Sequence, residues 1–120
     1  MSEEESDGEL IEDFAKEARQ RCDVISTGLD TGTTDFEALR QEAEALHGTA
    51  SELSLRRLAE LAGLMESDLS EAAEAGEIRD SRAAQISEAA EALASGVRAA
   101  ADDEEEPPDV GRSLAQLFAI

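Results

Sequence analysis

Apolar residues recur along this chain at alternating spacings of three and four positions, and the pattern is clearest between residues 35 and 53. Its members there are Phe36, Leu39, Ala43, Leu46, Ala50 and Leu53. Residues at this spacing share one side of an α-helix, so the pattern predicts an amphipathic helix with one face in a core. Thr34, with Glu37 three positions later, has the capping-box pattern that begins such a helix.

The same period predicts three further helices. The first covers residues 8–28, and the segment LDTGTT that follows it forms a loop. Ser54 is the predicted N-cap of the third helix, Gly76 ends it, and Asp80 or Ser81 begins the fourth. Their inward-facing residues are Ile11, Phe14, Ala18, Cys22, Ile25 and Leu29, then Leu55, Leu58, Ala62, Met65 and Leu69, then Ile86, Ala90, Leu93 and Val97. Four such helices with short loops predict an all-α, antiparallel up-down four-helix bundle over residues 8–101.

The segments outside the predicted bundle differ in character. Residues 1–7 are expected to be an acidic, disordered lead, and residues 102–110, DDEEEPPDV, a solvated linker, because charge blocks and prolines oppose packing. Residues 111–120 place Leu114, Leu117, Phe118 and Ile120 on one edge of a short helix. Two interpretations stay open for this tail: it folds back on the bundle or hangs loosely, or it is a tethered peptide that docks into a partner's groove.

The chain carries 30 acidic and 10 basic residues, for a net charge of −20. A surface of this sign disfavours binding to nucleic-acid phosphates or to an anionic membrane. It also suggests adaptation to a salt-rich cytoplasm, where salt screens the self-repulsion, although a generally acidic protein fits equally well. A melting temperature that rises strongly with salt would support the adaptation, and a flat response would count against it.

The inventory of chemical groups is short. One histidine and one cysteine cannot form a metal site or an internal disulfide, and the sequence has no glycine-rich phosphate loop and no GxSxG motif. We therefore expect no cofactor and no enzyme with its own turnover. No apolar run approaches the about 20 residues that span a membrane, and the first residues are acidic where a secretory signal is basic. These features predict a cytoplasmic protein.

Gly48 interrupts the second predicted helix on the side nearly opposite its apolar stripe. An exposed glycine inside a helix costs about 1 kcal/mol relative to alanine. The economical explanation is a partner that approaches the backbone at this point. The hypothesis requires that Gly48 is not covered by the chain itself.

The segment EALHGTASELSLRRLAELAGLMESDL, residues 44–69, resembles the core of a histidine phosphotransfer (HPt) domain, especially the N-terminal domain of chemotaxis histidine kinases. That family's motif is His-x-x-Lys-Gly-Ser/Thr-Ala, and the matching residues here are Gly48, Thr49 and Ala50, followed by Leu58-Ala59-Glu60-Leu61 and Met65-Glu66. The resemblance spans about residues 8–100. It implies a phosphorelay protein that meets a histidine kinase, a response-regulator receiver domain, or both, in two-component or chemotaxis-type signalling.

The chain departs from the family motif at its most important position. Glu44 stands where the family has its phosphorylated histidine, and a carboxylate cannot perform phosphohistidine chemistry. His47 stands at the position of the family's lysine, one helical turn later. Glu66 stands where chemotaxis-type domains have the glutamate that hydrogen-bonds the reactive imidazole.

Three hypotheses follow from this departure. In the first, His47 is the phosphoacceptor and Glu66 or Glu44 orients its ring. In the second, the fold is degenerate: it docks a kinase or receiver through the Glu44–Gly48 face without carrying phosphate. The residues assigned to partner binding are Arg40, Glu44, His47, Gly48 and Ser51. In the third, the chain is a helical protein–protein interaction module unrelated to phosphotransfer. A buried imidazole at His47 would exclude the first.

Overall fold

The computed structural model describes residues 3–118, and this part of the chain is a bundle of helices. They are α1 (Glu3–Asp30), α2 (Phe36–Glu52), α3 (Arg56–Ala75), α4 (Asp80–Ala101) and α5 (Pro108–Phe118). The most extensive contacts join α2 to α3 and α1 to α4, while α5 lies against both α3 and α4. The prediction of an all-α bundle is confirmed, with one helix more than the four expected.

The core is built from the periodic apolar positions that the sequence marks. Ile25, Leu46, Met65, Leu69 and Leu93, which come from the first four helices, are completely buried. Alanines fill much of the remaining interior, so the helices can approach each other closely. The sequence period therefore identified the inner face of each of these helices correctly.

Two predicted helix starts are wrong, and both errors concern polar residues in loops. Asp35 is the N-cap of α2 instead of Thr34, and its carboxylate accepts a hydrogen bond from the Ala38 amide at 3.2 Å. Ser54 does not begin α3. It adopts a left-handed conformation with φ of 61°, and the backbone amide of Leu55 donates a hydrogen bond to the carbonyl of Ala50. This pattern is a Schellman motif, which ends α2. Gly76 ends α3 in the left-handed region, as predicted.

The predicted lead over residues 1–7 needs correction, because α1 already begins at Glu3. Glutamate is a good helix former, so the run of glutamates extends the helix where its charge alone suggested disorder. Met1 and Ser2 lie outside the described residues. Within the part of the chain that the structure describes, no helix has the length and apolar character needed to cross a membrane.

The predicted linker over residues 102–110 is also shorter than expected, because α5 begins at Pro108. Proline fits the first turn of a helix, where its missing N–H group has no partner to lose. Val110, Leu114 and Leu117 then recur on one face, and all three are buried against the bundle. The tail therefore folds back on α3 and α4. Phe118 points outward, and Ile120 lies outside the described residues.

Candidate functional site

The only histidine of the chain lies on the outer side of the seam between α2 and α3. His47 comes from the fourth turn of α2, and its Nδ1 atom is 3.1 Å from Oε1 of Glu66 on α3. The imidazole side chain is 45% exposed and the Glu66 side chain 26%. The ring is therefore held at one nitrogen and open to solvent, and it is not sealed under a neighbouring helix.

Gly63 forms the surface against which the imidazole lies. A Cβ atom at this position would sit 3.4 to 3.6 Å from Cε1, Nε2 and Nδ1 of His47. A methyl group here would make ordinary van der Waals contact with the ring, so the imidazole lies directly over this point of α3, three residues before the glutamate that binds it. Gly63 was not among the residues predicted for the site, although a glycine three residues before Glu66 inside a predicted helix was a usable signal.

Arg40 links three carboxylates beside the histidine. Its guanidinium contacts both oxygens of Glu37 at 2.7 to 3.0 Å and donates from Nη1 to Glu44 Oε2 at 2.6 Å. The same Nη1 atom lies 3.5 Å from Glu66 Oε2 on the other helix. The hydrogen bonds that Glu37 accepts from Arg40 lower the pKa of Glu37, and the bonds that Arg40 donates to Glu37 and Glu44 raise the pKa of Arg40.

Gly48 and Ser51 lie on the side of α2 that carries Arg40, Glu44 and His47, closer to the C-terminal end of the helix. Both are exposed, and a Cβ added at Gly48 would have no heavy atom within 4 Å apart from its own helix backbone and neighbours. Residues 3–118 therefore leave this glycine uncovered. Together, Arg40, Glu44, His47, Gly48 and Ser51 form one side of α2, which we call the α2 face.

The pairing of His47 determines what its ring can do. An ionised carboxylate only accepts hydrogen bonds, so a neutral imidazole bound to Glu66 carries its proton on Nδ1. Its lone pair is then on Nε2, which is the nucleophilic nitrogen of a neutral ring. Within the described residues, no group of three His, Cys, Asp or Glu side chains could hold a metal ion. The chemistry of this site is that of a single oriented imidazole.

Comparison with known protein families gives one result. The model of the Hpt domain family matches residues 9–96, which include all of α2 and α3 and most of α1 and α4. The match ends before α5. No curated protein and no solved structure matches the chain.

Proposed function

Because the chain belongs to the Hpt domain family, we propose that it is a phosphoryl carrier of a two-component or chemotaxis-type relay and that His47 bears the phosphoryl group. Hpt domains carry phosphoryl groups between histidine kinases and response regulators and have no catalytic site of their own. The family match removes the hypothesis of an accidental similarity. The observation that carries the assignment to His47 is its half-exposed ring, bound by Glu66 through one nitrogen.

The transfer uses the lone pair of His47 Nε2. This atom forms a bond to the γ-phosphorus of ATP held by the kinase, while the bond from phosphorus to the bridging oxygen breaks and ADP leaves. The ring becomes positively charged, and its Nδ1 proton remains hydrogen-bonded to the Glu66 carboxylate. A carboxylate oxygen of the receiver then attacks phosphorus, the phosphorus–nitrogen bond breaks, and the electron pair returns to Nε2.

The α2 face supplies the surface on which the partner sits. Its exposed helical backbone at Gly48 lies one residue from His47, so a partner can approach the imidazole closely. A receiver has to bring its aspartate within reach of Nε2, and a bulky side chain next to the ring would obstruct that approach. Docking through the Glu44–Gly48 stretch follows from this need.

Radioactive labelling tests the assignment of the phosphoryl group. Incubation with a histidine kinase of the same organism and labelled ATP should produce acid-labile, alkali-stable phosphate on the chain. The His47→Gln variant should lose the label completely, because no second histidine is present. The Glu88→Gln variant is the control, because it introduces the same amide at an exposed position of α4 outside the α2 face, and it should keep the label. Label that survives in His47→Gln would overturn the assignment.

A second function is favoured by Glu44. It occupies the position at which the resembled family has its phosphohistidine, and it holds a fixed negative charge there. In this alternative the chain is a degenerate Hpt domain that binds a receiver without transferring phosphate. The result that distinguishes it is saturable binding of a receiver domain to a chain that never takes up label.

A further inference from the structure

We infer that Arg40 is a positioning residue, which selects Glu66 instead of Glu44 as the hydrogen-bond partner of His47. This role goes beyond the partner contact that the sequence assigns to Arg40, and it rests on the proposed function of His47. The sequence offers two carboxylates to the imidazole. Glu44 is one turn earlier on the same helix, and Glu66 is on the neighbouring one.

The carboxylates of Glu44 and Glu66 reach the imidazole from different helices. Residues three apart on a helix are neighbours, so Glu44 can reach His47 without any change in the backbone. In the structure it does not: the described residues contain no hydrogen bond between these two side chains. Arg40, one turn before Glu44, donates a hydrogen bond to its carboxylate at 2.6 Å and so draws it toward the start of α2. The pairing with Arg40 removes the local competitor.

The same guanidinium acts on Glu66. One oxygen of this carboxylate binds His47 at 3.1 Å, while the other faces Arg40 Nη1 at 3.5 Å. A guanidinium stays charged at every pH relevant to a protein, so it attracts the Glu66 oxygen that faces it. Its position also fixes which oxygen remains free to face the imidazole. Arg40 thus acts on His47 through both carboxylates.

The contacts that hold Arg40 in place support a role in positioning its neighbouring side chains. Two of its nitrogens bind the carboxylate of Glu37, and the Arg40 side chain is only 21% exposed. A guanidinium held in this way keeps a fixed position beside the carboxylates of Glu44 and Glu66. A fixed cation between two carboxylates also offsets the repulsion that would separate Glu44 and Glu66. The consequence for His47 is a proton held on Nδ1 and a lone pair on Nε2.

Nitrogen-15 NMR of the single histidine tests this inference without phosphate or a partner. The spectra are recorded at alkaline pH, and the two nitrogen shifts of a neutral imidazole report which atom carries the proton. We expect the Nδ1–H tautomer to dominate in the unaltered chain. In Arg40→Gln the ratio of the two tautomers should fall roughly fivefold, as expected for weakening a hydrogen bond to a charged group.

A second variant separates competition from a general loss of structure. If Arg40 acts by holding Glu44 away, the double variant Arg40→Gln/Glu44→Gln should regain most of the Nδ1–H tautomer. Arg19→Gln is the control, because Arg19 forms its ion pair with Glu91 on the α1–α4 side of the bundle. Should Arg40→Gln fail to fold, Arg40→Lys keeps the charge, lacks the fork, and should show a smaller shift in the same direction.

Three results would overturn the inference. They are an unchanged tautomer ratio in Arg40→Gln, a shift that Glu44→Gln does not reverse, and an equal shift in Arg19→Gln. The outcome is independent of the labelling experiment. A chain that takes no phosphate can still show the tautomer dependence on Arg40, and a phosphorylated chain can lack it.

Discussion

Gly48 and Gly96 both lie inside long helices, where glycine is unfavourable, but their surroundings are opposite. A Cβ at Gly96 would sit 2.5 Å from Cδ2 of Leu58 and 3.1 Å from Cγ2 of Val110, whereas a Cβ at Gly48 would have open space around it. The first glycine permits α3 and α5 to pack against α4. No group within residues 3–118 packs against the second, and we therefore propose that a partner approaches it from outside.

This difference divides the molecule into a closed side and an open side. The closed side, where α5 covers α3 and α4, consists of tightly packed apolar groups, and its residues are explained by the fold. The open side is the α2 face, where a helix-weakening glycine stands beside a half-exposed histidine. Residues whose presence the fold does not require are the ones to assign to function.

The buried interior and the α2 face should differ most in the chemical reactivity of their side chains, as Cys22 and His47 show. Burial raises the pKa of the Cys22 thiol to about 12, so at pH 8 its thiolate fraction, and hence its rate of alkylation, should be about 10³-fold below that of a free cysteine. His47 should react readily with diethylpyrocarbonate under the same conditions. Mass spectrometry of both modifications over time measures the contrast. Rapid alkylation of Cys22 in the folded chain would contradict the tight packing of the interior.

The closed side should be sensitive to loss of apolar volume. Leu117 on α5 is 1% exposed, so Leu117→Ala should lower the free energy of unfolding by about 2 to 4 kcal/mol. The adjacent Phe118, which is 73% exposed, provides the control. Phe118→Ala should change stability by less than about 0.5 kcal/mol. Equal losses in urea denaturation would show that α5 is not packed as described.

Adding one methyl group at Gly96 should also destabilise the protein. Gly96→Ala gains about 1 kcal/mol of helix propensity, but overpacking against Leu58 and Val110 costs about 1 to 3 kcal/mol. We expect a net loss of about 1 kcal/mol in urea denaturation. A gain in stability would mean that the α3–α4–α5 contact is looser than the distances indicate.

The same substitution at Gly48 should have the opposite sign. Gly48→Ala meets no neighbouring group, so only the helix propensity changes, and stability should rise by about 0.5 to 1 kcal/mol. The urea midpoint should increase with an unchanged slope. Destabilisation by Gly48→Ala would show that the chain itself needs this glycine, and the argument for an external partner would lose its basis.

The helical architecture was predictable because each helix buries one face, and the apolar residues of that face recur every three or four positions in the sequence. Residues such as Leu46 and Leu93 mark their helix faces without reference to any other helix. The errors occurred where a second segment decides the outcome. Val110 is apolar but stands among charges and prolines, and its role becomes visible only when α5 meets α3 and α4. Serine is a residue type that N-caps favour, but Ser54 has the left-handed backbone conformation that ends a helix.

The family resemblance made part of the candidate site predictable. The resemblance placed Glu66 beside the reactive imidazole position, and in the structure its carboxylate contacts His47 at 3.1 Å. The contact between Gly63 and the ring, and the choice that Arg40 makes between two carboxylates, depend on the distance between α2 and α3. A single sequence carries no measure of that distance.

The binding of a receiver domain to a Gly48→Arg variant tests most directly the claim that the α2 face is a docking surface. Arginine is a good helix former, so circular dichroism should show unchanged helicity while affinity for a receiver that binds the unaltered chain falls at least about tenfold, or roughly 1.4 kcal/mol. Ser95→Arg is the control, because it adds the same side chain at an exposed position of α4, which makes no contact with α2, and it should leave binding intact. Unchanged affinity in Gly48→Arg would contradict the account.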